Sequence, residues 1–201
     1  MLDSVESDGE LTVVFHFNTM SDIAIQTPYL MLGQRMYRDL ADLCSDGRSI
    51  TVYTNSAVSG ANVFGCAEYL YSRRDLLGTG ILVSEYAGER SLHTKTLLID
   101  ENLCIVGSFN FDMRSAYLDT ELMLVIRGEE VNALLRSHMD TLHRDCRRVD
   151  GDGSSTIPEG LEIPPLPLWK RALLRVAGAL MQPVRNLVTG VNEKSDGLTI
   201  R

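Results

Sequence analysis

"SLHTKTLLIDENLCIVGSFNFD" occupies residues 91–112. Two short apolar runs, 96–99 and 103–106, flank Asp100-Glu101-Asn102, a tripeptide that suits a tight turn. The stretch therefore predicts a β-hairpin. In a strand, residues two apart face the same side. His93 and Lys95 would then share a face, with Thr94 and Thr96 turned away. Ser108 and Asn110 have the same spacing at the end of the other strand. Closing the hairpin at 100–102 carries both pairs to one edge of the sheet. An imidazole, an ammonium, a hydroxyl and a carboxamide would surround one small space.

That set suits a phosphoryl group. Lys95 offers a point charge to a non-bridging oxygen. Ser108 and Asn110 offer neutral donors. His93 can attack phosphorus as neutral imidazole or protonate a departing alcohol as imidazolium. Gly107 leaves room for close backbone approach. No metal or other cofactor is called for, because the donors themselves can stabilise developing charge. A carboxylate would fix the His93 tautomer, and Glu121, just before an apolar run, is the best placed. Asp100 falls at the turn, away from the pocket edge, and is assigned to organising it.

Outward from the hairpin, β-type runs at 11–17, 23–25, 50–53, 81–86 and 122–126 alternate with helical spacing at 34–44, 61–77 and 129–147. Gly47, Gly78 and Gly80 close the first two helices. In the third, Val131, Leu134, Leu135 and Leu142 form the apolar side. This order predicts an α/β fold, a mixed β-sheet flanked by helices. Residues 1–10 read as disordered and 11–149 as the catalytic unit. Residues 150–168, rich in Gly, Ser and Pro, read as a linker, and 169–201 as a basic amphipathic tail. Its helix, 169–187, is kinked or ended early by Pro183.

The chain has 201 residues, 44% of them hydrophobic and 23% charged, with formal net charge -8, enough for one domain with a real core. That charge disfavours nucleic acid as a partner, since phosphate-rich polymers are held by bulk positive charge. Cys44, Cys66, Cys104 and Cys146 form no CxxC pair, so neither metal spacing nor a disulfide framework is indicated. Cys104, in an apolar run, reads as core. The acidic start is unlike a signal peptide. No apolar run is long enough to span a bilayer.

His93-x-Lys95, four residues, Asp100, six residues, then Gly107-Ser108-x-Asn110 resembles the HKD signature of the phospholipase D superfamily. The flanks "NFDMRSAYLDTEL", "IQTPYLMLG", "VYTNS" and "AEYLYSRRDLLGTGI" resemble the C-terminal half of bacterial cardiolipin synthase-like members. The likeness runs over about residues 20–145. It implies a phospholipase D-like half-domain and a two-step phosphodiester exchange. One histidine is phosphorylated, and another protonates the leaving alcohol. By this resemblance His93 is the general acid of the second motif, Lys95, Ser108 and Asn110 bind phosphate, and Glu121 orients His93. It implies phosphatidyl transfer on a phospholipid, at the cytoplasmic side of a bacterial inner membrane.

Only one HKD motif is present, because His16, His138 and His143 have no lysine two residues on. A second HKD half-domain is therefore expected, from a missing N-terminal half or a homodimer partner. Residues 11–18 read as a strand where related half-domains open with a helix, which suggests a truncated sequence. Two alternatives stand beside the transferase: a homodimeric phosphodiesterase or nuclease, and an inactive fragment acting only by assembly. Trp169 with Lys170, Arg171, Arg175 and Arg185 among aliphatic residues makes a membrane surface the expected partner of the tail. Tyr29, Asn55 and Ser56, at strand ends, are candidates for lining the substrate path. Arg114 is expected to pair with Asp112 or Asp119, and Arg73 and Arg74 to form a solvated face.

Overall fold

The computed structural model describes the backbone elements at residues 2–7 and 10–15 and then residues 21–189, with side chains from 21 to 180. The strands are β1 (Leu2–Ser7), β2 (Glu10–Phe15), β3 (Asp22–Gln26), β4 (Leu30–Met31), β5 (Ser49–Asn55), β6 (Leu82–Tyr86), β7 (Thr96–Ile99), β8 (Leu103–Gly107), β9 (Phe111–Asp112), β10 (Met123–Arg127), β11 (Cys146–Val149) and β12 (Ser155–Thr156). The helices are α1 (Gln34–Ser45), α2 (Val63–Gly78), α3 (Met113–Tyr117), α4 (Glu129–His143) and α5 (Leu168–Thr189).

One eight-stranded mixed sheet runs β10-β8-β7-β3-β5-β6-β11-β12. The β3, β5 and β6 strands are parallel, joined through α1 and α2, and the flanking pairs are antiparallel. Strand alternation sorts its two faces. Ile23, Ile25, Ile50, Val52 and Val83 meet Leu40, Tyr69, Leu76 and Leu77 of α1 and α2. On the other face Ala24, Leu98 and Cys104 meet Met139, with Leu135 beside them, from α4. The result is three layers with the sheet in the middle. Gly47 and Gly80 take φ of +87° and +94° after their helices, a region that favours glycine.

Several expectations are corrected. Residues 2–7 pair antiparallel with β2 in register from Leu2↔Phe15 to Ser7↔Glu10, so the opening decade contains a strand. Asp-Gly at 8–9 is a sequence pair that favours a hairpin. The long third helix ends at His143, and 146–149 is a strand on β6. The buried side of α4 carries Asn132 and Met139, whereas Leu134 is 72% and Val131 37% exposed. Asn132 is buried because its amide donates to the Leu103 carbonyl (2.9 Å). Helix α5 runs through Pro183 to Thr189. The candidate His16 lies outside the described residues.

Arg73 also leaves its expected role. Its guanidinium reaches Glu85 (3.1 Å), which has no exposed surface and also receives Arg147 (2.5 Å) and the Tyr69 hydroxyl (2.7 Å). A buried carboxylate demands such partners. Arg74 stays exposed.

Candidate active site

The hairpin β7–β8 forms with Thr96 opposite Val106 and Ile99 opposite Leu103. His93 and Lys95 precede β7 rather than belonging to it. Their segment is held to the sheet by a bond from the Gly107 amide to the Lys95 carbonyl (3.2 Å). Lys95 turns back on its own segment. Its ammonium lies 3.0 Å from His93 Nδ1 and donates to the His93 carbonyl at 2.9 Å. An ammonium has no acceptor, so the first contact is a hydrogen bond only with Nδ1 unprotonated.

Ser108 follows β8. Its hydroxyl donates to Glu121 Oε2 and accepts from the Leu122 amide at 3.0 Å. Among the described residues the His93 ring makes no hydrogen bond to a carboxylate, and Glu121 is engaged by Ser108. The negative charges of Glu121 and Asp112 still act on Lys95. Partial burial draws the Lys95 ammonium below the usual lysine range, and these two carboxylates oppose that. Lys95, Ser108 and Glu121 therefore share one neighbourhood.

Asn110 is held by Ser115, whose hydroxyl accepts from its backbone amide (3.1 Å) and its side-chain amide (3.4 Å). Its Oδ1 is buried without a partner. Asp112, 4% exposed, caps α3 by accepting from the Ser115 amide at 2.9 Å. Burial lifts its carboxyl above the ordinary aspartate value. Gly107 serves the fold: a Cβ there would fall 2.1 Å from the Leu122 carbonyl oxygen. The room it leaves is taken by the chain entering β10. Asp100 sits at the hairpin turn with φ of 45°, and its carboxylate accepts from the Ser21 and Asp22 amides, each at 3.0 Å.

Other side chains complete the site. Asn55, 5% exposed at the end of β5, donates to the carbonyls of Pro28 (3.2 Å) and Leu92 (2.9 Å) and accepts from the Leu92 amide (2.7 Å). It thus ties the Tyr29 turn to the residue before His93. The Tyr29 ring stands edge-on to the imidazole, centroids 6.2 Å apart. Gly65 of α2 admits that ring, since a Cβ there would sit 2.9 Å from it. Thr27 accepts from the Phe111 amide at 3.0 Å, and Gln26, 2% exposed, leaves its Nε2 unpaired. Gln26 and Lys95 both line a small cavity of about 80 Å³ behind the site.

Asp112, Ser115, Thr27 and Gln26 had no place in the sequence reading of the site. "TPY" after a strand was the only signal near the last two. Ser56 is fully buried and closes its own turn with Ser59. Arg114 pairs with Asp119 (3.2 Å). His138 is exposed, and His143 lies against Tyr53.

The family described as "Cardiolipin synthase, PLD-like domain" matches residues 17–143. The chain belongs to this family, within the phospholipase D superfamily. Cardiolipin synthase A of Edwardsiella ictaluri is 25% identical over 166 residues, covering 83% of this chain and 31% of that protein. The same-named protein of Wigglesworthia glossinidia brevipalpis is 29% identical over 114 residues, covering 57% and 22%. The chain thus spans less than a third of these curated relatives. Among solved structures, phosphatidylserine synthase of Haemophilus influenzae matches with TM-score 0.61 and 17% identity, covering 87% of this chain and 42% of that one. Nuc of Salmonella typhimurium, a phospholipase D family member, matches with TM-score 0.55 and 15% identity, covering 66% and 84%. At these identities the two structures show the shared fold: a large mixed sheet flanked by helices.

Proposed function

We propose that the chain contributes one half of a phosphatidyl-transferring site of the cardiolipin synthase kind. The observation that carries this is the clustering of the motif side chains at the open end of the β7–β8 hairpin. Lys95 bonds His93, Ser108 bonds Glu121, and Glu121 and Asp112 bear on Lys95.

In this reading an incoming phosphodiester takes the Lys95 ammonium away from His93 Nδ1. The phosphate oxygens offer charge-assisted bonds that a neutral imidazole cannot match. Lys95 and the second N–H of the Asn110 side-chain amide hold the non-bridging oxygens, joined by the Ser108 hydroxyl as its proton turns from Glu121 to the phosphate, and together they stabilise charge as it builds there. A histidine of the second half attacks phosphorus, and the P–O bond to the departing alcohol breaks. His93, protonated from solvent once its Nδ1 is released and so present as imidazolium, gives that oxygen a proton. An acceptor alcohol then passes its proton back to His93 as it attacks phosphorus, and the P–N bond breaks. Glu121 positions Ser108 before the phosphate arrives and balances the Lys95 charge. Orientation of His93 falls to the Leu92–Asn55 clamp and the Tyr29 ring in this half.

The site takes its complement from a second motif-bearing half. A homodimeric phosphodiesterase is the second reading. It is favoured by the likeness to Nuc, in which a comparable unit makes up 84% of a whole chain.

The test uses the assembled protein with a fluorescent phospholipid and a glycerol-bearing alcohol. Transfer product should form, and His93→Ala should lower turnover by about 10²–10⁴-fold, the range for loss of a general acid. Undiminished turnover in His93→Ala would overturn the assignment. Hydrolysis alone would favour the second reading.

A further inference from the structure

Helix α5 has two apolar sides. Leu174 and Ala177 are buried against α2 in one cluster with Cys66 and Ala67, and Gly178 is buried beside the Ala67 carbonyl. Trp169, Leu173, Val176 and Leu180 recur at i, i+4, i+7 and i+11 and are 68%, 42%, 56% and 67% exposed. The helix is fixed in this rotation by Lys170, whose ammonium donates to the carbonyls of Val58 (3.2 Å) and Gly60 (3.4 Å). Along the seam with α2 runs a groove of about 340 Å³, walled by Leu70, Tyr71, Leu166 and Leu174 and flanked by Arg171 and Arg175. Neither guanidinium has a carboxylate partner among the described residues, although the chain carries an excess of acid.

We propose that this groove takes an acyl chain of an anionic phospholipid at a bilayer surface, with Arg171 and Arg175 on its phosphate. The apolar wall alone would accept any hydrophobe, and the two cations narrow the choice. An apolar protein partner would strip water from both guanidiniums and give them nothing, a large penalty. A phosphate joined to an acyl chain satisfies the charges and the wall together, since guanidinium binds phosphate through paired donors. No described helix is long and apolar enough to cross a membrane, so α5 would lie in the interfacial plane. Because Gly65 of α2 carries Tyr29, and Tyr29 faces His93, this docking sets the catalytic edge near the surface that holds the substrate.

The experiment measures sedimentation of the full chain with vesicles of phosphatidylcholine, with and without phosphatidylglycerol. Binding should be roughly tenfold or more tighter with the anionic lipid. It should fall to the neutral-vesicle level in Arg171→Glu/Arg175→Glu. Ala179→Trp, a change at an exposed position that fills the groove, should weaken it by a similar factor. Equal binding to both vesicle types overturns the proposal. So does wild-type binding by Ala179→Trp, which would leave the groove empty. A lipid-free change of oligomeric mass in these variants, without vesicle binding by the parent, would assign the groove to a protein and also overturn it. The readout needs no turnover, so His93→Ala should bind as the parent does, and failure here leaves the catalytic reading untouched.

Discussion

Asn55 hydrogen-bonds three backbone groups in the interior, two of them on the residue before His93. Asn55→Ala should cost about 1–3 kcal/mol of stability, the penalty for stranding buried polar groups. It should also let the His93 segment drift. Misplacement of a reacting group by about 1 Å can cost about 100-fold in rate, so kcat of the assembled enzyme should fall by up to that factor with KM little changed. A parallel rise in KM would mark Asn55 as a substrate contact instead. Asp112 gives a pH signature. Its folded-state pKa is raised above 3.8 by burial, so the folded chain keeps a proton that the unfolded chain has released in the window just above that value. Its contribution to stability must therefore decline as pH rises through that window and then stay level. Subtracting urea-unfolding free energies of Asp112→Asn from those of the parent, pH by pH, should give a difference that falls across the window. A flat or rising difference would contradict the assignment.

Glu85 on β6 is where one layer is fastened to the next: Tyr69 and Arg73 reach it from α2, Arg147 from β11. Glu85→Ala removes one side of a buried charge cluster, worth about 3 kcal/mol at the low end of such losses because both arginines keep some exposure. That corresponds to about 6–12 °C in Tm for a chain of this size, readable by thermal melting. The same place explains what sequence could convey. The hairpin, the parallel strands and α1 and α2 were legible because alternation and helical spacing act locally, and the hairpin and both helices end in a turn tripeptide or Gly. The β11 strand was hidden inside a helical pattern, because Cys146 and Val149 are apolar at helix-compatible spacing. Pairing with β6 and with β12 and the Arg147–Glu85 bond make 146–149 extended, and none of these is written in the local pattern. Arg73 was misjudged for the same reason. Likewise the HKD spacing picked out the candidate residues, but the Asn55 clamp and the Ser108–Glu121 bond join residues 37 and 13 apart and left no local pattern.

For the whole molecule, the decisive fact is an outer strand that is greasy where it leaves the site. β10 is the last strand of the sheet and begins two residues after Glu121. Leu122 and Leu124 are 82% and 62% exposed, and Leu134 of the neighbouring α4 is 72% exposed. Scattered apolar residues need no explanation, but several on an unpaired sheet edge invite association. The reading above requires a second motif-bearing half beside Glu121, so continuity with the site makes this edge its seat, on the side of the sheet away from α2 and α5. Leu124→Asp/Leu134→Asp alters only exposed side chains, so its melting temperature should stay close to the parent's. Its mass by light scattering should be that of the single chain, whereas the parent should run as an assembly. Transfer activity should follow the mass, present in the associated fraction and at least about 100-fold lower in the monomer, where one histidine lacks its counterpart. An active monomer would show that one motif suffices and would remove the reason for a second half.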